Sequence, residues 1–144
     1  MRRFLWLLLL VVFVAFIFYN SSMPASESHK ASQLVGSILT GMGKWFGLDV
    51  PQQNLDYNIR KVAHFLEFAL LGVILCNVYS AFGVSHRTET GYILFLGLAV
   101  AVTDEYIQLH ASGRSALVTD VILDFSGVFF IWLTREVWSW AKRY

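Results

Sequence analysis

Cysteine is nearly absent from the 144-residue chain: Cys76 is the one copy, and it sits inside an apolar run. That excludes a disulfide within the chain and a cysteine-based zinc site, and a lone thiol in such a run reads as a small buried apolar residue. Proline is nearly as scarce, and both copies, Pro24 and Pro51, fall in the stretch between the first two apolar runs. Charge is low as well. Asp, Glu, Lys and Arg make up 15% of the residues, where a soluble domain carries about 25%. A net charge of +1 argues against nucleic acid as a partner. There is no G-x-S-x-G or H-E-x-x-H motif, no internal repeat and no low-complexity tract. What the chain has in quantity is hydrophobic residues, 56% of the total, with a mean hydropathy of +0.56. This is the composition of a single membrane unit.

Four apolar stretches set the organisation. Residues 4–19 are apolar after Met1-Arg2-Arg3, and residues 59–83, 91–109 and 117–138 follow. The last three come near the ~20 residues that a spanning helix needs, and the first is just short of it. The expected fold is therefore all-α, with four transmembrane helices. The first stretch has the basic start of a secretory signal but lacks a clear cleavage site, which favours a retained anchor over residues 1–20. Residues 21–58 form an extracytoplasmic segment, residues 59–139 a three-helix core and residues 140–144 a cytoplasmic tail. Within the second segment Leu34, Val35, Ile38, Leu39, Met42, Trp45 and Phe46 recur at three- and four-residue spacing. That stripe predicts an amphipathic helix at the membrane surface, between the first and second spans. Residues 47–56 read as the loop into the second span.

Placement of Lys and Arg orients the chain. With the N-terminus inside, Arg2, Arg3, Arg87, Arg135, Lys142 and Arg143 are cytoplasmic, against Lys30, Lys44, Arg60, Lys61 and Arg114 outside. The last three belong to a polar cluster, and setting them aside leaves a clear bias for both termini in the cytoplasm. Trp132, Trp138, Trp140 and Tyr144 then form an inner aromatic belt.

Five acids interrupt otherwise apolar sequence: Glu67, Asp104, Glu105, Asp120 and Asp124. A carboxylate at the centre of a membrane helix costs roughly 2.5–3.5 kcal/mol, so each is a candidate functional residue. In this topology they converge. Lys61, His64 and Glu67 share a side of the second span, about 3–12 Å below its outer end at ~1.5 Å per residue. Asp104, Glu105 and Gln108 occupy the last two turns of the third span. A short connection, residues 110–116, leads to Asp120 and Asp124 in the first two turns of the fourth. Such a layer suits catalysis, ligand binding or scaffolding. His64, Glu67, Asp104 and Glu105 can supply acid/base groups, with Lys61, Gln108 and Arg114 contacting an anionic substrate. Asp104, Glu105, Asp120 and Asp124 can instead hold a hard cation such as Mg²⁺, Ca²⁺ or Mn²⁺. The same groups can also bind a ligand without breaking a bond, or simply tie the helices together, although the excess of acid over base counts against a pure scaffold.

The residues also resemble a known family. Arg60-Lys61-Val62-Ala63-His64-Phe65-Leu66-Glu67-Phe68, then Asp104-Glu105-Tyr106-Ile107-Gln108, then Gly113-Arg114 with Asp120, Asp124 and Gly127, follow the order and spacing of the VanZ-like family. The resemblance runs from Arg60 to about Phe130. Phe68 stands where tyrosine is common, and Val128-Phe129-Phe130 after Gly127 offers no second small residue for a tight helix contact. The family takes its name from an accessory protein associated with teicoplanin, or glycopeptide, resistance. The resemblance implies a multi-pass protein of the bacterial plasma membrane, part of the cell envelope of a Gram-positive organism. Membrane lipids, a glycopeptide antibiotic and a lipid-linked wall precursor are the partners it implies.

Overall fold

A computed structural model describes residues 1–48, 51 and 53–142. Five helices account for most of them: α1 (Arg2–Ser22), α2 (Ala25–Trp45), α3 (Leu55–Phe82), α4 (His86–Gln108) and α5 (Val118–Ala141). The described residues contain no strand. Of the expected loop and tail, Asp49, Val50, Gln52, Arg143 and Tyr144 lie outside the described residues.

α3 is the central element and packs against each of the other four, most extensively against α5. Partners across the bundle show how the helices alternate. Asn20 and Ser21 at the end of α1 meet Glu67 of α3 and Asp104 of α4. Lys61 near the start of α3 meets Asp120 near the start of α5. At the other end Arg135 meets Glu89, and His86 meets Glu136 at 3.1 Å. α1, α3, α4 and α5 thus run alternately up and down, with a polar layer at each end and an apolar middle. Phe68, Leu71, Leu75, Cys76, Ile93, Ala101, Val128 and Ile17 form that middle.

Glycine sets the spacing of the two main helices. A Cβ on Gly127 would lie 2.4 Å from the Phe65 carbonyl oxygen, and one on Gly72 would lie 3.1 Å from the Val128 Cα. The close approach expected to need two small residues on one helix is instead made by one glycine from each. At the chain reversals α3 stops at Gly83 with φ +67°, and Gly113 with φ +75° shapes the α4–α5 loop, a backbone region in which glycine has no Cβ penalty.

Two features differ from the sequence expectation. α2 starts at Ala25, well before the apolar stripe, because Pro24 precedes the first helical residue and Ala25 donates its N–H to the Ser112 carbonyl at 3.0 Å. Ala, Glu and Lys are good helix formers, and Glu27 in the first turn and Lys44 in the last suit the helix dipole. The face that α2 turns to α3 is small: Gly36 would place a Cβ 3.4 Å from Ile59 Cδ1. Its apolar stripe, including Leu34, Ile38, Met42 and Trp45, is exposed. The second difference concerns α5. By length and composition α1, α3 and α4 can cross a membrane. α5 is not among them, since it carries Asp120, Asp124, Arg135 and Glu136 within 24 residues.

Candidate functional site

The polar layer at the α1/α3/α4/α5 end gathers all nine residues expected there, and the structure sorts them into distinct roles. Asp104 is fully buried. Its Oδ1 accepts the Ser21 hydroxyl and its Oδ2 accepts the Gln108 amide at 2.8 Å. The i, i+4 spacing of Asp104 and Gln108 makes the second bond local to α4; the first ties α4 to α1. Asp124, 1% exposed, faces His64, whose Nδ1 stands 3.4 Å from Asp124 Oδ1. That distance is long, and neither Asp124 oxygen accepts a hydrogen bond from the described residues. Glu67 is half-buried and accepts a bond from Asn20 Nδ2 at 3.2 Å.

Three of the expected residues are committed elsewhere. Asp120 is 2.5 Å from Lys61 Nζ, so each neutralises the other. Glu105 Oε1 accepts the Leu117 N–H at 2.7 Å, holding the loop at the start of α5. Among the described residues, the side chains grouped closely enough to share one metal ion are His64, Asp104 and Asp124, whose ligand atoms all lie within 4.8 Å of one another. Of the four carboxylates expected to ligate a cation, Asp104 and Asp124 belong to this group; Asp120 and Glu105 face other partners.

Two cavities, of about 230 and 310 Å³, open on either side of His64, and Ser28, Arg60 and Arg114 line both. The first continues along Lys61, Asp120 and Asp124, and the second along Asn20, Ser21 and Glu67. Arg114 donates from Nη2 to the Asn20 carbonyl at 3.3 Å and forms no carboxylate pair among the described residues. Burial lowers its pKa from the ordinary value, with Asp104 opposing and Arg60 reinforcing the shift. Arg60 lies 3.4 Å from Asp56, which also meets His29 at 2.8 Å and the Ser32 hydroxyl. This latch fixes α2 across the mouth of the cleft.

Sequence reasoning missed Asn20, Ser21 and Ser28, which fell in the anchor and the linker. A signal existed: Asn20 and Ser21 end the first apolar run on the side where the other helices carry their polar residues. It also missed Glu89, which is 5% exposed and paired with Arg135 in the opposite layer. In sequence Glu89 is indistinguishable from a solvated helix start.

Apolar helices enclosing a charged, cavity-lined layer define a membrane helix bundle with a polar site at one end. The VanZ/LLP1 family profile matches residues 5–138, and the chain belongs to that family. The match reaches well beyond the block from Arg60 to Phe130 and includes the α1 residues that complete the site. No curated protein and no solved structure shows significant similarity to the chain.

Proposed function

We propose that the chain crosses the bacterial plasma membrane four times, with both termini cytoplasmic, and that its outer cleft acts on the anionic head of a lipid-linked or cell-wall molecule. The charges on α5 are compatible with a fourth span because each has a partner on another helix: Lys61, His64, Glu89 and His86. Met1, Arg2 and Arg3 lie beside Asn77, Ser80 and Ala81, at the end away from the cleft. Arg87, Arg135 and Lys142 share that end, which suits the cytoplasmic side. α3, at 28 residues, is about 42 Å long at 1.5 Å per residue and exceeds the ~30 Å hydrocarbon core. Its first turns, with Asp56 and Arg60, would then stand at headgroup level. The exposed apolar stripe of α2 would lie against the same surface.

The observation that carries the reading is the pair of cavities sharing Arg60, His64 and Arg114. A guanidinium has five N–H donors in a fixed fork, and Arg114 spends one on a backbone carbonyl. The remainder suit a phosphate or carboxylate oxygen pair. Glu67 lines the second cavity beside that position and can take a proton from a group held there. Binding of the same head with no bond broken is the second reading; it keeps the arginine wall and leaves Glu67 without a chemical task.

Envelope lipids and wall precursors, profiled by mass spectrometry in cells making wild-type protein or an equally abundant Glu67→Gln variant, separate the two. An altered envelope species found only with wild type establishes catalysis. Unchanged envelope chemistry, with teicoplanin protection lost in Arg114→Ala, supports binding. Unchanged chemistry and unchanged protection in both variants reject the cleft as the working site.

A further inference from the structure

We propose that His64, Asp104 and Asp124 form a divalent-cation site at the floor of the cleft, suited to Zn²⁺ or Mn²⁺. The three side chains come from α3, α4 and α5, so the site exists only in the folded bundle. Their ligand atoms lie within 4.8 Å of one another. Around one tetrahedral ion with bonds of about 2.0–2.2 Å the ligand atoms stand about 3.3–3.6 Å apart; His64 Nδ1 and Asp124 Oδ1 already have that separation at 3.4 Å, and Asp104 joins them with a closure of about 1 Å.

Asp124 is the second, independent observation. It is 1% exposed, and neither of its oxygens accepts a hydrogen bond from the described residues. A buried carboxylate without donors is expensive. Asp104 shows the complementary pattern. Ser21 and Gln108 each donate to one of its oxygens and fix its plane, as outer partners do for a ligating carboxylate, and each oxygen keeps a lone pair for an ion.

Charge balance points the same way. The ion pairs of the opposite layer match: Glu89 with Arg135, and His86 with Glu136. In the cleft Lys61 is used by Asp120 and Arg60 by Asp56. Arg114 is then the one arginine or lysine lining the cleft without a carboxylate pair among the described residues, against Glu67, Asp104, Glu105 and Asp124. A divalent ion on the last and second of these removes most of that excess. One imidazole with two carboxylates favours Zn²⁺ or Mn²⁺ over Mg²⁺ or Ca²⁺, which prefer all-oxygen sites. The competing occupant is a proton, giving a plain imidazolium–carboxylate pair between His64 and Asp124.

The site lies in the cleft of the proposed function but does not depend on its substrate, because metal binding is read on the purified full-length chain alone. The protein is placed in lipid nanodiscs, stripped with a chelator, and titrated with Zn²⁺ by calorimetry and with Mn²⁺ by electron paramagnetic resonance. The expected result is one ion per chain, with nitrogen coupling from His64 in the Mn²⁺ signal. Asp124→Asn and His64→Ala should each weaken binding at least 100-fold, and Ser21→Ala about tenfold. Asp120→Asn, outside the ligand set, should change it less than twofold. Folded wild type that takes up no stoichiometric ion overturns the proposal. So does Asp124→Asn binding as tightly as wild type. Should His64→Ala or Asp124→Asn fail to fold, the wild-type titration and Ser21→Ala still decide.

Discussion

Gly127 of α5 rests directly on the backbone of α3 at Phe65, where an added Cβ would come within 2.4 Å of the carbonyl oxygen and 2.7 Å of the Ala69 nitrogen. This contact sets the site as well as the core. Phe65 follows His64 and Gly127 lies three residues after Asp124, so the helix separation at the glycine also fixes the His64–Asp124 distance.

Gly127→Ala should therefore push α3 and α5 apart and cost about 1–3 kcal/mol, the range for forcing extra volume into a packed core. Thermal unfolding of the detergent-solubilised protein measures it. Gly41→Ala and Gly91→Ala are the controls: a Cβ there meets nothing within 4 Å. Each should be neutral or stabilise its helix by about 0.5–1 kcal/mol, since alanine loses less freedom than glycine on folding. Equal losses at all three positions would contradict the close approach at Gly127.

Ser21 binds α1 to α4 through Asp104. Interhelical hydrogen bonds between membrane helices contribute about 0.6 kcal/mol on average and up to ~1.7. Asp104 is fully buried, which places Ser21→Ala toward the upper end. The same change tried at Ser37, which is exposed and bonds only to the Leu34 carbonyl among the described residues, should fall below ~0.5 kcal/mol. A Ser21→Ala melt indistinguishable from wild type would show that α1 is not held by this bond.

The family, the all-helical class and the meeting of the acids at one end were legible in sequence, because depth along a helix follows directly from residue count. Which acid pairs with which base was not. Asp120 and Asp124 are one turn apart and read alike, yet the register of α5 against α3 gives one to Lys61 and the other to His64. Glu105 looked like an acid/base group because it adjoins Asp104, but its rotation on α4 turns it to the Leu117 N–H. Ser21 and Asn20 were hidden by their position after the first apolar run, since their partners are 83 and 47 residues away. Long-range partners of this kind leave no local pattern.

Lys61 and Asp120 form a part-exposed pair, 25% and 22% accessible. Their mutual attraction is therefore screened, and a coupling of about 1 kcal/mol or less is expected. A double-mutant cycle with Lys61→Met and Asp120→Asn reads that coupling from thermal unfolding. Each single variant should be less stable than the double variant, because each leaves one charge without its partner. A double variant whose loss relative to wild type equals the sum of the two single losses would mean that the two groups act independently.

The faces of α2 make opposite predictions about depth. Leu34, Ile38 and Trp45 belong to its exposed apolar stripe, while Gln33, Ser37 and Lys44 line the groove that it forms with Leu55 and Asp56. If the stripe lies on the membrane, a nitroxide attached after Ile38→Cys in a Cys76→Ser background should collide more often with oxygen, which concentrates in lipid. One attached after Gln33→Cys should collide more often with a water-soluble nickel chelate. The contrast should vanish when Met42→Asp and Trp45→Asp are added to both labelled proteins, because the stripe then loses two exposed apolar anchors. Equal oxygen exposure at positions 33 and 38 would place α2 away from the lipid. It would then be only a cover over the cleft, held by the bond between Ala25 and Ser112 and by the His29–Asp56 contact.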